Sequence, residues 1–229
     1  AGSQKYGALV WSGDIKSSFP SMKNQVAAGL NMGIAGIPWW TTDIGGFFGA
    51  NINDPEFHEL LVRWFEYGCF CPVMRLHGYR WPLQPQYGTT GGATCVSGAP
   101  NEVWSYTDQV CEILSDYLRL RERMLPYITE LMEEAHEKGT PVMRPLFYDF
   151  PEDKESWNVE TEYMFGPKVL VKPITDADAR ETDVYLPGGA SWTNAWTGET
   201  FEGGQKVHVA APIEQIPLFT RDGYKLPMK

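Results

Sequence analysis

Three places in the sequence set groups capable of proton or ion-pair chemistry at the end of a short apolar run. Residues 7–14 read Gly-Ala-Leu-Val-Trp-Ser-Gly-Asp, so Asp14 closes one such run. Residues 38–48 read Pro-Trp-Trp-Thr-Thr-Asp-Ile-Gly-Gly-Phe-Phe and put Asp43 just before a glycine pair. Residues 75–78 read Arg-Leu-His-Gly and bring Arg75 and His77 together. A carboxyl can deliver or accept a proton, an imidazole can do either near neutral pH, and a guanidinium is a fixed cation. Each residue also has an ordinary reading. Asp14 suits the N-cap of a following helix, Asp43 suits an Asx-turn, His77 suits a structural role, and Arg75 suits a partner for one of the acids.

The elements that must position these groups follow from the pattern. Residues 7–12 predict a strand and 17–31 a helix, with Pro20 tolerated in its first turn. The continuous apolar run 32–40 predicts a fully buried parallel strand. Asp54 before Pro55 predicts the start of a helix over 51–70 that Gly68 closes. Its residues Phe57, Leu60, Leu61, Trp64 and Phe65 recur on one face. Residues 71–76 predict a third buried strand, and after a Gly- and Tyr-rich loop Asn101 is placed to cap a long helix kinked at Pro126. Strand–loop–helix units in series imply parallel strands covered by helices, and in such folds reacting groups sit beyond the carboxyl ends of strands. From about Thr140 the texture changes to short β-rich runs divided by Pro, Gly, Asp and Asn, which predicts an antiparallel β-sandwich.

Composition narrows the partners. A net charge of −10 and a pI near 4.9, with no basic stripe, argue against nucleic acid. No apolar run approaches ~18 residues, so no membrane span is expected, and no leader is visible. The four cysteines, Cys69, Cys71, Cys95 and Cys111, fit neither a zinc site nor a disulfide framework, and read as buried or loop thiols. A bond from Cys95 to another loop cysteine stays open, and neither a metal nor a cofactor is expected. The carboxylates, Arg75 and His77 are surrounded in sequence by Trp11, Trp39, Trp40, Phe47, Phe48, Tyr79 and Trp81. That is the make-up of a sugar pocket, where rings stack on apolar sugar faces and polar groups hold hydroxyls.

Taken together, Gly2-Ser-Gln-Lys-Tyr-Gly through Trp11-Ser-Gly-Asp14, Trp40-Thr-Thr-Asp43-Ile-Gly-Gly-Phe47 and Arg75-Leu-His77-Gly78 resemble the retaining α-glycosidases of glycoside hydrolase family 31. The likeness continues through Arg123-Met-Leu-Pro-Tyr127, Gly139-Thr-Pro-Val-Met-Arg144 and Tyr163-Met-Phe-Gly-Pro167. It implies an α/β fold: the last three β/α units of a (β/α)8 TIM barrel over 1–139, then a β-sandwich over 140–229. It also implies that Asp14 is the general acid/base and that His77 hydrogen-bonds the hydroxyls of the sugar being cut. Trp40 and Trp11 would line that pocket, Asp43 would organise it, and Arg75 would assist in binding.

A retaining glycosidase needs two carboxyls about 5–5.5 Å apart, one nucleophilic and one protonated. An apolar, ring-lined site and a neighbouring carboxylate both favour the protonated form of the acid. The family's Trp-x-Asp-Met-Asn-Glu-type nucleophile motif does not occur in this sequence. The expectation is therefore the C-terminal portion of a larger enzyme, inactive alone, whose partner is the N-terminal half of the barrel. Its substrate would be an oligosaccharide or polysaccharide with terminal α-linked xylose or glucose, and the Pro38-Trp-Trp-Thr stretch leans toward xylose. A non-catalytic carbohydrate-binding module and an inert structural fragment are the competing readings.

Overall fold

The computed structural model describes residues 2–228. Its first part is built around short parallel strands. β1 (Val10–Trp11) pairs in parallel with β2 (Trp40–Thr41), in the register Val10 to Trp40 and Trp11 to Thr41. On the other side of β2 the chain over 73–76 runs extended. Val73 N–H donates to Trp40 O at 3.1 Å, and Ile44 N–H donates to Arg75 O at 3.2 Å. A single parallel bridge joins Ile44 and Leu76. The strand expected over 71–76 is therefore an extended segment with isolated bonds, because Pro72 has no N–H to give and the chain bends around it. Further out, β3 (Ala50–Asn51) and β4 (Arg80–Trp81) form a second parallel ladder.

The helices cover these strands. α1 spans Phe19–Ile34 and is capped by Ser18, whose hydroxyl accepts from Ser21 N–H. It runs three residues past the expected end, so the apolar run 32–40 is two elements rather than one. Its front is the last turn of α1, its back is β2, and Gly36 turns between them at φ +80°. α2 spans Pro55–Cys69 with Asp54 accepting from Glu56 N–H, as the Asp-Pro signal predicts. Gly68 does not close α2. It lies inside the helix, where a Cβ would sit 2.5 Å from Ile44 Cδ1, so the requirement is close approach to the strand end. α3 (Asp108–Arg123) is capped by Thr107 rather than Asn101, and it breaks at Met124 from α4 (Leu125–Lys138), which carries Pro126 in its first turn. Asn101 instead accepts from Arg80 and from the Tyr106 hydroxyl.

The second part follows β5 (Met143–Pro145) and the single turn α5 (Leu146–Asp149). β6 (Tyr163–Phe165), β7 (Val169–Val171), β9 (Ser191–Asn194), β10 (Thr200–Glu202) and β12 (Leu218–Arg221) join β5 in a six-stranded antiparallel sheet, ordered β10-β9-β12-β7-β6-β5. A hairpin of β8 (Glu181–Leu186) and β11 (Gln205–Ala210) forms the second layer. Alternation assigns the faces. Tyr163, Phe165, Val169, Val171 and Leu218 enter the core shared with the helices, whereas Met164, Leu170 and Phe219 enter a second core with Val184, Leu186 and Trp192. Burying each of these large apolar side chains contributes roughly 1.5–3 kcal/mol. The sandwich is thus fastened to the barrel helices through the face of β5, β6, β7 and β12.

All four cysteines are free thiols, with Cys69 and Cys71 buried and Cys95 exposed. Among the described residues no helix is long and apolar enough to cross a membrane.

Candidate active site

Asp14, Asp43, Arg75 and His77 all lie just past the carboxyl ends of the parallel segments. Asp14 follows β1 and is exposed. It is not the cap of α1, since Ser18 has that place. Asp43 follows β2 and is fully buried. Its Oδ1 accepts from Arg75 Nη1 at 2.6 Å, so its side chain is spent on an ion pair rather than on an Asx-turn. Its Oδ2 is buried with no hydrogen-bond partner. His77 is exposed, and its ring lies 5.6 Å from that of Phe47.

Burial pushes the Asp43 carboxyl up from its ordinary value. Arg75 and His77 oppose this, Asp14 reinforces it, and Arg80 opposes it more weakly. The four residues of the sequence expectation therefore share one electrostatic field, although they come from three different segments.

Ser12 ties two of those segments together. Its hydroxyl oxygen accepts from Asp43 N–H at 3.3 Å and from Thr42 Oγ1 at 3.4 Å, and it donates to Gly13 O. Beneath the loop that follows Asp43, Arg80 is buried and spreads its guanidinium over backbone carbonyls. Nη1 donates to Gly46 O at 2.8 Å and Nη2 to Ile44 O at 3.2 Å, with the Phe57 ring 4.9 Å from Cζ. Gly46 is needed there: φ is +75°, and a Cβ would meet Ser17 backbone at 2.6 Å. Ser12 and Arg80 were not foreseen as positioning residues. Ser12 stands in the quoted Trp-Ser-Gly-Asp stretch, but nothing about Arg80 as a residue type marks it as buried.

Two expected aromatics behave differently. Trp11 is half exposed at the end of β1, beside the approach to Asp14. Trp40 is only 2% exposed and faces α1, its indole against Gly29, where a Cβ would sit 2.7 Å from Nε1. Trp40 thus wedges strand against helix, and among the described residues its indole meets α1 rather than the polar groups at the strand ends. Phe47, beside His77, is the ring that stands next to the polar groups.

Carboxyls, a histidine and an arginine thus gather beyond the ends of parallel strands, in a part of the chain whose helices share a core with the antiparallel sheet. Residues 1–131 match the glycosyl hydrolases family 31 TIM-barrel domain, and residues 139–226 match the glycosyl hydrolase family 31 C-terminal domain. The chain belongs to glycosyl hydrolase family 31.

Among its relatives, an α-xylosidase of Saccharolobus solfataricus is 39% identical over 228 residues, covering 100% of this chain and 29% of that protein. Alpha-glucosidase 2 of Bacillus thermoamyloliquefaciens is 35% identical, over 97% of this chain and 25% of its own length. The crystal structure of a family 31 α-xylosidase from a soil metagenome, complexed with xylose, superposes with a TM-score of 0.95 at 54% identity. That match covers 99% of this chain and 34% of the other. The chain spans about a third or less of the length of these proteins.

Proposed function

We propose that this chain carries the acid/base part of a retaining α-glycosidase that removes terminal α-linked xylose, and less readily glucose. The observation that carries the reading is the placement of exposed Asp14 beside the buried Asp43–Arg75 pair and His77 at neighbouring strand ends. Asp14 protonates the glycosidic oxygen as the bond to the sugar breaks, then takes a proton from the water that releases the sugar from its covalent ester with the enzyme. His77 holds sugar hydroxyls, Arg75 holds Asp43 in place and favours its charged form against burial, and Asp43 organises the strand ends. Trp11 flanks the approach to Asp14. Residues 1–139 supply the barrel part and 140–229 the sandwich. The nucleophilic carboxyl is assigned to sequence beyond these 229 residues, because a retaining mechanism needs a second acid facing the first. On this reading the 229 residues alone do not turn over substrate. The printed names of the relatives, α-xylosidases and α-glucosidases, support the substrate class.

The test uses the natural gene product with Asp14→Ala. Turnover of an oligosaccharide, whose leaving group needs protonation, should fall by about 10²–10⁴-fold, the usual contribution of acid–base catalysis. The first step on an activated aryl α-xyloside should be largely spared. Equal loss on both substrates would remove Asp14 from the acid/base role. A preference for aryl α-glucoside over α-xyloside would overturn the choice of sugar.

A further inference from the structure

The chain between His77 and α3 carries a feature that the acid site does not use. It leaves the site through Gly78, enters β4, and then forms a tied-down loop. Gln84 and Ser97 exchange both backbone hydrogen bonds across it, at 2.9 and 3.3 Å. Ala99 N–H donates to Arg80 O at 2.9 Å, and buried Arg80 together with Tyr106 donates to Asn101 Oδ1. Against this frame lies a groove of ≈ 740 Å³, lined by Ile52, Gln84, Tyr87, Asn101, Glu102 and Trp104 among others. Trp104 is 73% exposed and Tyr87 80% exposed. Clefts of roughly 300–1,000 Å³ are the ordinary size for small ligands.

The rim selects the ligand. Among the described residues no lysine or arginine lines the groove, so a phosphate or sulfate finds no counter-charge. The single acid, Glu102, already accepts from the Ser105 hydroxyl at 2.9 Å. What remains are the Gln84 amide, whose nitrogen also donates to Pro82 O at 3.3 Å, the Ser97 hydroxyl, backbone groups and the two rings. Rings with an apolar face and a polar edge, flanked by neutral donors and acceptors, suit a ligand with C–H faces and many hydroxyls. We propose that Trp104 and Tyr87 form a platform for a neutral oligosaccharide, holding the sugars beyond the one that is cut. The sugar chemistry rests on the glycosidase reading above; the groove's frame follows His77 in the chain, and buried Arg80 reaches both, donating to Asn101 Oδ1 in the groove wall and to Ile44 O and Gly46 O in the loop after Asp43.

The experiment compares Trp104→Ala, Tyr87→Ala and Trp104→Phe with the unchanged natural gene product. The substrates are a neutral α-linked trisaccharide and a 4-nitrophenyl α-glycoside of the same terminal sugar. Each alanine variant should raise KM for the trisaccharide about tenfold, or ~1.4 kcal/mol, with KM for the aryl glycoside unchanged and most of the loss recovered by phenylalanine. If the two KM values move together, or neither moves, the platform is overturned. Trisaccharide affinity is also measured calorimetrically in an Asp14→Asn background, where it should fall by the same factor in the alanine variants. The trisaccharide recovered after the titration is checked to be uncut, so the affinity is read as binding alone and the two readings fail separately. Blue-shifted Trp104 fluorescence in the ligand-free protein, meaning a ring already covered by another segment, would also overturn the proposal.

Discussion

Arg75 Nη1 stands 2.6 Å from Asp43 Oδ1, pairing a partly exposed guanidinium with a fully buried carboxylate. The pairing crosses from one strand end to the next, and Ile44 N–H to Arg75 O repeats the link in the backbone. Asp43 Oδ2 is left without a hydrogen-bond partner. The pair therefore does two things at once. It locks two strand ends in register, and it opposes the burial that favours the neutral form of the carboxyl.

Replacing Arg75 with Gln should expose that balance. The Asp43 carboxyl is already raised by burial above its ordinary 3.8, and Arg75 is the leading group that lowers it. A raised carboxyl contributes stability that is present below the unfolded value and lost as pH rises through the folded value. Without Arg75 the folded value climbs further, so the loss at neutral pH grows. The urea midpoint of Arg75→Gln should fall well below that of the unchanged protein at pH 7.5, and lie close to it near pH 4. An equal deficit at both pH values would mean that Arg75 acts through packing alone.

Gly46→Ala tests the loop that follows Asp43. The added methyl meets Ser17 backbone at 2.6 Å in a conformation with φ at +75°, so backbone rather than a side-chain tip must give. Overpacking of this kind costs about 1–3 kcal/mol, and here it also pulls Gly46 O from Arg80. The expected result is a lower urea midpoint together with a raised KM in the natural gene product, since His77 rests on the Phe47 of the same loop. An alanine variant with unchanged midpoint and KM would contradict the assigned role of this turn.

How much of this was legible in the sequence depends on the length scale. Asp54-Pro55 fixed the start of α2 because cap and Pro act locally, whereas the β-rich run through Tyr163-Met164-Phe165 announced a strand but not which core each face enters. The gathering of Asp14, Asp43, Arg75 and His77 was readable because each closes an apolar run. The packing of Trp40 on α1 was not legible, because a residue near a strand end can face inward or toward a helix, and Gly29, eleven residues upstream, makes the room. The strand expected over 71–76 dissolved because pairing depends on a neighbour and Pro72 removes a donor. Arg80 was invisible because its carbonyl partners carry no sequence signal.

The joint between barrel helices and sandwich gives the last expectation. Arg63 and Glu66, one turn apart on α2, are both fully buried and paired at 3.1 Å. Arg63 also donates to Ala179 O, Ala211 O and Pro212 O, and Tyr117 of α3 donates to Glu66 and accepts from Ile216 N–H. Burial pushes Glu66 up from 4.5 to about 8, against the pull of Arg63. The stability tied to a protonated Glu66 is therefore full below pH 4.5 and is lost as pH rises toward 8. Glu66→Gln keeps an acceptor for Arg63 and cannot ionise, so its urea midpoint should vary less across that window. Arg63→Met leaves a buried carboxyl and several carbonyls without their donor, and should cost roughly 3–5 kcal/mol. If Glu66→Gln shows the same pH slope as the unchanged protein, the titrating group at this joint is not Glu66. If Arg63→Met is as stable as the unchanged protein, the sandwich is held by its apolar sheet face alone.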